Sequence, residues 1–232
     1  MKVLHKVISL AAAVAVGAGA ALLGAPAAFA ETSNSIELSE DDLSYFHATG
    51  DRFGVDKAVQ EALLEKVRAG IPLDSSTGAE PVSVVTADVD GFTRTIETYA
   101  DGSIIGSDIE IPKEVSADVA ARGISQCVTS TSAGVNYGQD CWIFSSSMTI
   151  GASFYASYSR WASGSSVWNW HSPAINVVGG SVTSSSWNHV SGTNSSIQLQ
   201  WNSQTGGIYT YGSWLKFNAS PSGTSQTRGG TW

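Results

Sequence analysis

Beyond residue 30 the chain holds three histidines, His47, His171 and His189, and from residue 124 on it holds one carboxylate, Asp140. A Ser-His-Asp relay confined to that part would have to join Asp140 to His171 or His189, and no G-x-S-x-G elbow presents a nucleophilic serine. Two-carboxylate glycoside hydrolysis fails there for want of a second acid, so any hydrolase site would have to be shared with the preceding part of the chain. There is no H-E-x-x-H, and the histidines have no local ligand spacing, so we assign no metal and no cofactor. Asp88-Val89-Asp90-Gly91 has the first half of a calcium loop but lacks its third acidic position and distal Glu, and reads instead as a hairpin turn.

Recognition chemistry has more material. All eight tryptophans lie after residue 140, among Asn, Gln, Ser and Tyr, the residue types that stack on sugar rings and bond their hydroxyls. In the stretch SSVWNWHSP, residues 165–173, an extended strand puts Trp168 and Trp170 on one face and Asn169 and His171 on the other. We read the two tryptophans as core or core edge in preference to a ligand platform. Trp214, which strand register places on an outer face, is the preferred ligand candidate, followed by Trp168, Trp170, Asn169 and His171.

These residues need a scaffold, and composition divides it. Residues 1–30 combine Lys2, His5 and Lys6 with an apolar run and end Ala28-Phe29-Ala30, the pattern of a cleaved signal peptide. Residues 31–123 carry 19 acidic against 7 basic residues, net −12, whereas 124–232 carry 1 against 3, net +2. We therefore expect an acidic α+β module over 31–112, a linker over 113–123 and a Trp-rich antiparallel β-sandwich or barrel over 124–232. Neither part has the basic stripe that nucleic acid requires, and no stretch after the leader is long and apolar enough for stable membrane insertion. In an exported chain, Cys127 and Cys141 should pair as a structural disulfide.

In the acidic part, Ser39-Glu40-Asp41-Asp42 reads as a capping box, and Asp56 caps a second helix with the stripe Val59, Leu63, Val67, stopped at Gly70. Asp90-Gly91 and Asp101-Gly102 read as two-residue turns of a three-stranded meander. The first pairs Val89 with Phe92 and Val85 with Ile96. The second pairs Thr98 with Ile105, Arg94 with Ile109 and Phe92 with Ile111. That register leaves Arg94 as the one charge on an oily face that the second helix covers.

In the Trp-rich part the clearest strand spans Met148 to Tyr158, with Met148, Ile150, Ala152, Phe154, Ala156 and Tyr158 on one face. Further strands fall at 128–131, 142–146, 167–171, 175–178, 181–187, 197–201 and 208–217. A two-residue turn at Gly206-Gly207 would set Leu199 against Trp214 and split the apolar rows. A three-residue loop or a bulge pairs Leu199 with Leu215 and Ile197 with Phe217, and turns Trp214 outward.

The runs Gly54-Val55-Asp56, Gly70 to Ser75, Tyr99 to Ser103, Asn136 to Asp140 and Phe154 to Tyr158 resemble a group of secreted proteins from high-GC Gram-positive bacteria. That resemblance implies export and a two-part plan and brings no catalytic residues. We expect a secreted, non-catalytic binding or adhesion protein whose partner is a neutral glycan or a protein at a cell surface. The alternatives are an exported antagonistic, bacteriocin- or toxin-like protein held quiet by an acidic pro-region cut near Arg122, and a hydrolase with a shared site.

Overall fold

The computed structural model describes residues 35–114, 127–205 and 209–232. The expected signal peptide, the expected cut near Arg122 and the Gly206-Gly207 loop lie outside them. Helix α1 is Glu40–Arg52, and its capping box is formed: Ser39 Oγ accepts from the Asp42 N–H at 3.1 Å, and the Asp42 carboxylate accepts from the Ser39 N–H at 2.9 Å. Helix α2 is Lys57–Arg68, with Asp56 accepting from the Ala58 N–H at 2.8 Å and Gly70 beyond it at φ 70°. Each cap satisfies donors that the first turn cannot pair itself.

Strands β1 (Ser83–Val89), β2 (Phe92–Thr98) and β3 (Ile104–Glu110) form the meander. The first hairpin has the expected register, Val89 with Phe92 and Val85 with Ile96. The second does not: Tyr99 closes on Ser103, Thr98 faces Ile104 and Arg94 faces Asp108. Asp101 draws the turn out by accepting from the Ser103 N–H at 2.9 Å. This shift of one residue turns β3 over, because successive side chains alternate faces. Asp108 now lies beside Arg94, while Ile105 joins the core on the other side.

The remaining strands are β4 (Lys113–Glu114), β5 (Val128–Ser132), β6 (Val135–Ser147), β7 (Ile150–Trp161), β8 (Gly164–Val177), β9 (Gly180–Val190), β10 (Ser195–Thr205), β11 (Tyr209–Ser220) and β12 (Gly223–Gly230). An eight-stranded sheet runs β1-β2-β3-β6-β5-β4, with β7 on β6 and β8 on β7. It is antiparallel except for β4, which lies parallel to β5. Strands β12-β11-β10-β9 make a second antiparallel sheet. The pairs Leu199 with Leu215 and Ile197 with Phe217 are formed, and Thr205 with Tyr209 leaves three residues between the strands. The architecture is two helices followed by an antiparallel two-sheet sandwich.

Further expectations are corrected by the sheet itself. The change in composition near residue 123 is not a boundary in the sheet, since β3 pairs with β6 from Ile105 with Ser147 to Ile109 with Ile143. The acidic and Trp-rich parts share one eight-stranded sheet. The stretches 167–171 and 175–178, read as separate strands, are one strand, β8, kinked by bulges.

Two cores follow from this. Between the sheets, Ile143, Phe154, Ala156, Tyr158 and Val167 meet Ile197, Leu199, Trp201, Leu215 and Phe217, with the Cys127–Cys141 disulfide among them. On the outer face of the large sheet, α1 and α2 bring Phe46, Leu63, Leu64 and Val67 onto Ile104 and Met148, so Met148 leaves the face of Ile150. The Val59, Leu63, Val67 stripe does cover the sheet, as its spacing requires. The helices cover one end of that outer face; toward the other end, Tyr155 and Trp168 are half-buried and His171 is exposed.

Candidate functional site

Trp214 stands on the outer face of the four-stranded sheet, opposite the buried Leu215 and Phe217. It pairs with Gln200 on one side and Gly229 on the other. A Cβ at Gly229 would lie 2.5 Å from the indole, so glycine is what lets the ring lie against the β12 backbone. The face around it is built of amides and hydroxyls. Gln200 donates to Ser186 Oγ at 2.9 Å, Asn202 to Ser184 Oγ at 3.0 Å and Gln198 to Gln200 Oε1 at 3.3 Å. Lys216 is its charge, for the chain holds no carboxylate after Asp140. This row follows from strand alternation: Ile197, Leu199 and Trp201 turn inward, which sends Gln198, Gln200 and Asn202 out.

A second constellation lies on the uncovered end of the large sheet's outer face. Two one-residue bulges flank Ser157 on β7: one on β6, between Gly138 and Cys141, and one on β8, where Trp168 faces Ser157 and His171 faces Tyr155. Asp140, Asn169 and Ser172 each have φ 51°, a left-handed conformation that Asp and Asn tolerate better than most residues. For side chains other than glycine it still costs on the order of 1–3 kcal/mol each.

The Asn169 bulge overturns the expectation that Trp168 and Trp170 share a face. Val167 and Trp170 pack against the inter-sheet core, with the Trp170 ring 4.8 Å from His189, while Trp168 turns outward to meet Tyr137. Trp170 is therefore core edge, and Trp168 belongs to the surface. Asn169 and His171 converge on Asp140, the one carboxylate available to a Ser-His-Asp relay in this part of the chain. Asp140 Oδ1 accepts from Asn169 Nδ2 at 3.0 Å and lies 3.2 Å from His171 Nε2; His171 Nδ1 lies 3.0 Å from Ser172 Oγ. The Asp140 N–H donates to Ser157 Oγ at 3.1 Å. His171 stacks on Tyr155 at 5.5 Å and 10°.

Tyr137, Tyr155 and the amide row of β10 went unrecognised as site residues. Their signal was present in the outward phase of the strands; an Asp and an Asn in mid-strand were also a hint of the bulges. Among the described residues no group of three or more His, Cys, Asp or Glu gathers to hold a metal ion, and no helix is long and apolar enough to cross a membrane. No protein family matches the chain, and neither does any curated protein or solved structure.

Proposed function

We propose that this protein is exported and acts without catalysis, binding a neutral glycan of a cell surface through the outer face of its four-stranded sheet. The observation that carries the reading is Trp214, laid across Gly229 and edged by the Gln198, Gln200 and Asn202 row. An indole face suits the CH surface of a pyranose, and fixed amides and hydroxyls suit its hydroxyls. Export is supported by the leader-like residues 1–30 and by the Cys127–Cys141 disulfide, a bond typical of oxidising compartments. The test is retention on insoluble cell-wall polysaccharides and on a glycan array. Trp214→Ala should abolish retention and leave the melting temperature unchanged; retention that survives the substitution overturns the reading.

One observation favours a hydrolase whose site lies within the Trp-rich part and is not shared between the two parts, the hydrogen-bonded order Ser172, His171, Asp140. We expect no labelling of Ser172 by a fluorophosphonate probe, because its hydroxyl bonds the ring of the adjacent residue and no nucleophile elbow presents it. Stoichiometric labelling at Ser172 would establish the hydrolase instead.

A further inference from the structure

We propose that the uncovered end of the large sheet's outer face binds an organic ammonium cation, of the quaternary, choline-like class, between Tyr137 and Trp168 and against Asp140. The inference is independent of the glycan reading, which concerns the opposite side of the sandwich.

Charge is the first argument. Asp140 is the sole carboxylate from residue 124 to the C-terminus. The partners of its carboxylate are an amide and an imidazole, its own N–H is bound to the Ser157 hydroxyl, and among the described residues no Lys or Arg pairs with it. Both side-chain bonds fall on Oδ1, which leaves Oδ2 without a partner among the described residues, on a side chain that is 35% exposed. The carboxylate is fixed in place by two side chains, and among the described residues neither a guanidinium nor an ammonium group is set against it.

Ring geometry is the second. Tyr137 on β6 and Trp168 on β8 are separated by β7, yet their rings come within 6.5 Å at 77°. They meet because β7 offers only Ser157 and Ser159 beneath them, both buried. The two ring planes stand near perpendicular over a floor of serines, and the negative faces of aromatic rings attract alkylammonium groups into such a corner. The Asp140 bridge to Asn169 and His171 crosses the same strand one side-chain row along, and Tyr155 with His171 bounds it beyond.

Backbone is the third. The two bulges beside Ser157 aim Asp140 and Asn169 at each other, and their left-handed residues carry side chains that both take part in the bridge. Bulges that re-aim side chains are frequent beside binding sites. A divalent metal would want several oxygen ligands around it, whereas this site offers one carboxylate among rings.

The oxidised, full-length exported protein should be titrated with choline and with its neutral isostere 3,3-dimethylbutan-1-ol, following the assigned indole N–H resonances. We expect saturable choline binding in the ~1–10 mM range and at least ~10-fold weaker binding of the alcohol, since only the cation gains from ring faces and carboxylate. Asp140→Asn keeps the shape and tolerates the left-handed backbone, and should lose that ~10-fold preference. Trp168→Ala should lose binding, and Trp214→Ala should leave it unchanged. Equal affinity for choline and the alcohol, no saturation by choline up to ~100 mM, or an unaltered preference in Asp140→Asn would each overturn the proposal. The wild-type comparison decides even where a variant fails to fold. Phosphatidylcholine vesicles that bind the protein and release it to free choline would identify a lipid headgroup as the source; choline binding without vesicle binding would identify a soluble or polymer-borne ammonium.

Discussion

Asp108 and Asp140 lie on the same outer face of the same sheet, one at the helix-covered end and one at the open end, and the fold treats them in opposite ways. Asp108 has no exposed side-chain area and receives two guanidinium groups. Arg94 donates to it at 2.8 and 3.0 Å, and Arg52 through both Nε and Nη2. Each arginine in turn sits over rings: Arg52 at 4.9 Å from Phe144 and 5.3 Å from Trp142, and Arg94 at 5.3 Å from Phe53. The bond to Asp108 and its charge raise the pKa of Arg94, against the opposing effect of burial. Asp140 is partly open and is met by an amide and an imidazole. A carboxylate enclosed by guanidinium groups has its charge matched inside the fold, whereas one oriented by an amide and an imidazole has no Lys or Arg against it among the described residues.

The sharpest way to break this contrast is to remove the enclosed carboxylate. Asp108→Ala strands two arginines over an aromatic cluster and should destabilise the protein by about 3–5 kcal/mol in urea denaturation. A loss below about 1 kcal/mol would mean that solvent already shares the site.

The open end can be loosened instead at its covalent anchor. Cys127–Cys141 closes a separation of 14 residues, and Cys141 is the neighbour of bulged Asp140. Replacing both cysteines by serine should cost about 3 kcal/mol in the chain-entropy account. It should also weaken choline binding, which Asp108→Ala should not do in the molecules that remain folded.

Acid should act first at the covered end. For Asp101, burial by itself would raise the pKa, but bonds from Ser103, the Asp74 N–H and Lys66 outweigh it and hold the carboxyl below its ordinary value of 3.8. At Asp42 burial likewise raises the pKa, and bonds from Ser39 and Gly179 outweigh it and hold the carboxyl below its ordinary value. A pKa lowered in the folded state contributes stability that is complete above the unfolded value and fades as pH falls through the folded one. Melting temperature should therefore drop between about pH 5 and pH 2, and Asp101→Asn should flatten the drop. An Asp101→Asn profile as steep as wild type would remove that residue from the account.

The smallest effect belongs to Asp140 itself. Asp140→Asn should change unfolding free energy by no more than about 0.5 kcal/mol, as befits a partly exposed group whose replacement keeps one acceptor oxygen. A cost near that of Asp108→Ala would make the bridge a structural latch and erase the distinction.

What could be read from residues alone had a pattern. Caps, the first hairpin and the β10–β11 register were recoverable, because each rests on a local hydrogen bond or on two apolar rows that unite in only one alignment. The second hairpin was misread because Asp101 bonds Ser103 and the Asp74 N–H, contacts that lengthen the turn and reach a residue 27 positions away. That single slip concealed the pairing of Asp108 with Arg94. The bulges at Asp140 and Asn169 concealed the open-end site in the same manner, since one extra residue reverses every face beyond it. Simple alternation put Trp168 and Trp170 together and hid the meeting of Trp168 with Tyr137 across β7.

The ladder between β3 and β6 has a consequence in terms of mass action. A backbone cut anywhere in 115–126 would leave both cysteines on one piece and would not separate the pieces. They would stay joined by that ladder, by the Arg228–Glu97 ion pair and by the bond from the Trp142 N–H to Glu110 at 3.2 Å. The nicked molecule would behave as a heterodimer, with a stability that depends on dilution where that of the intact chain does not. Release of the acidic piece would also bare the edge of β6, a template for strand addition, so a nicked sample diluted far enough to dissociate should tend to pair with other copies.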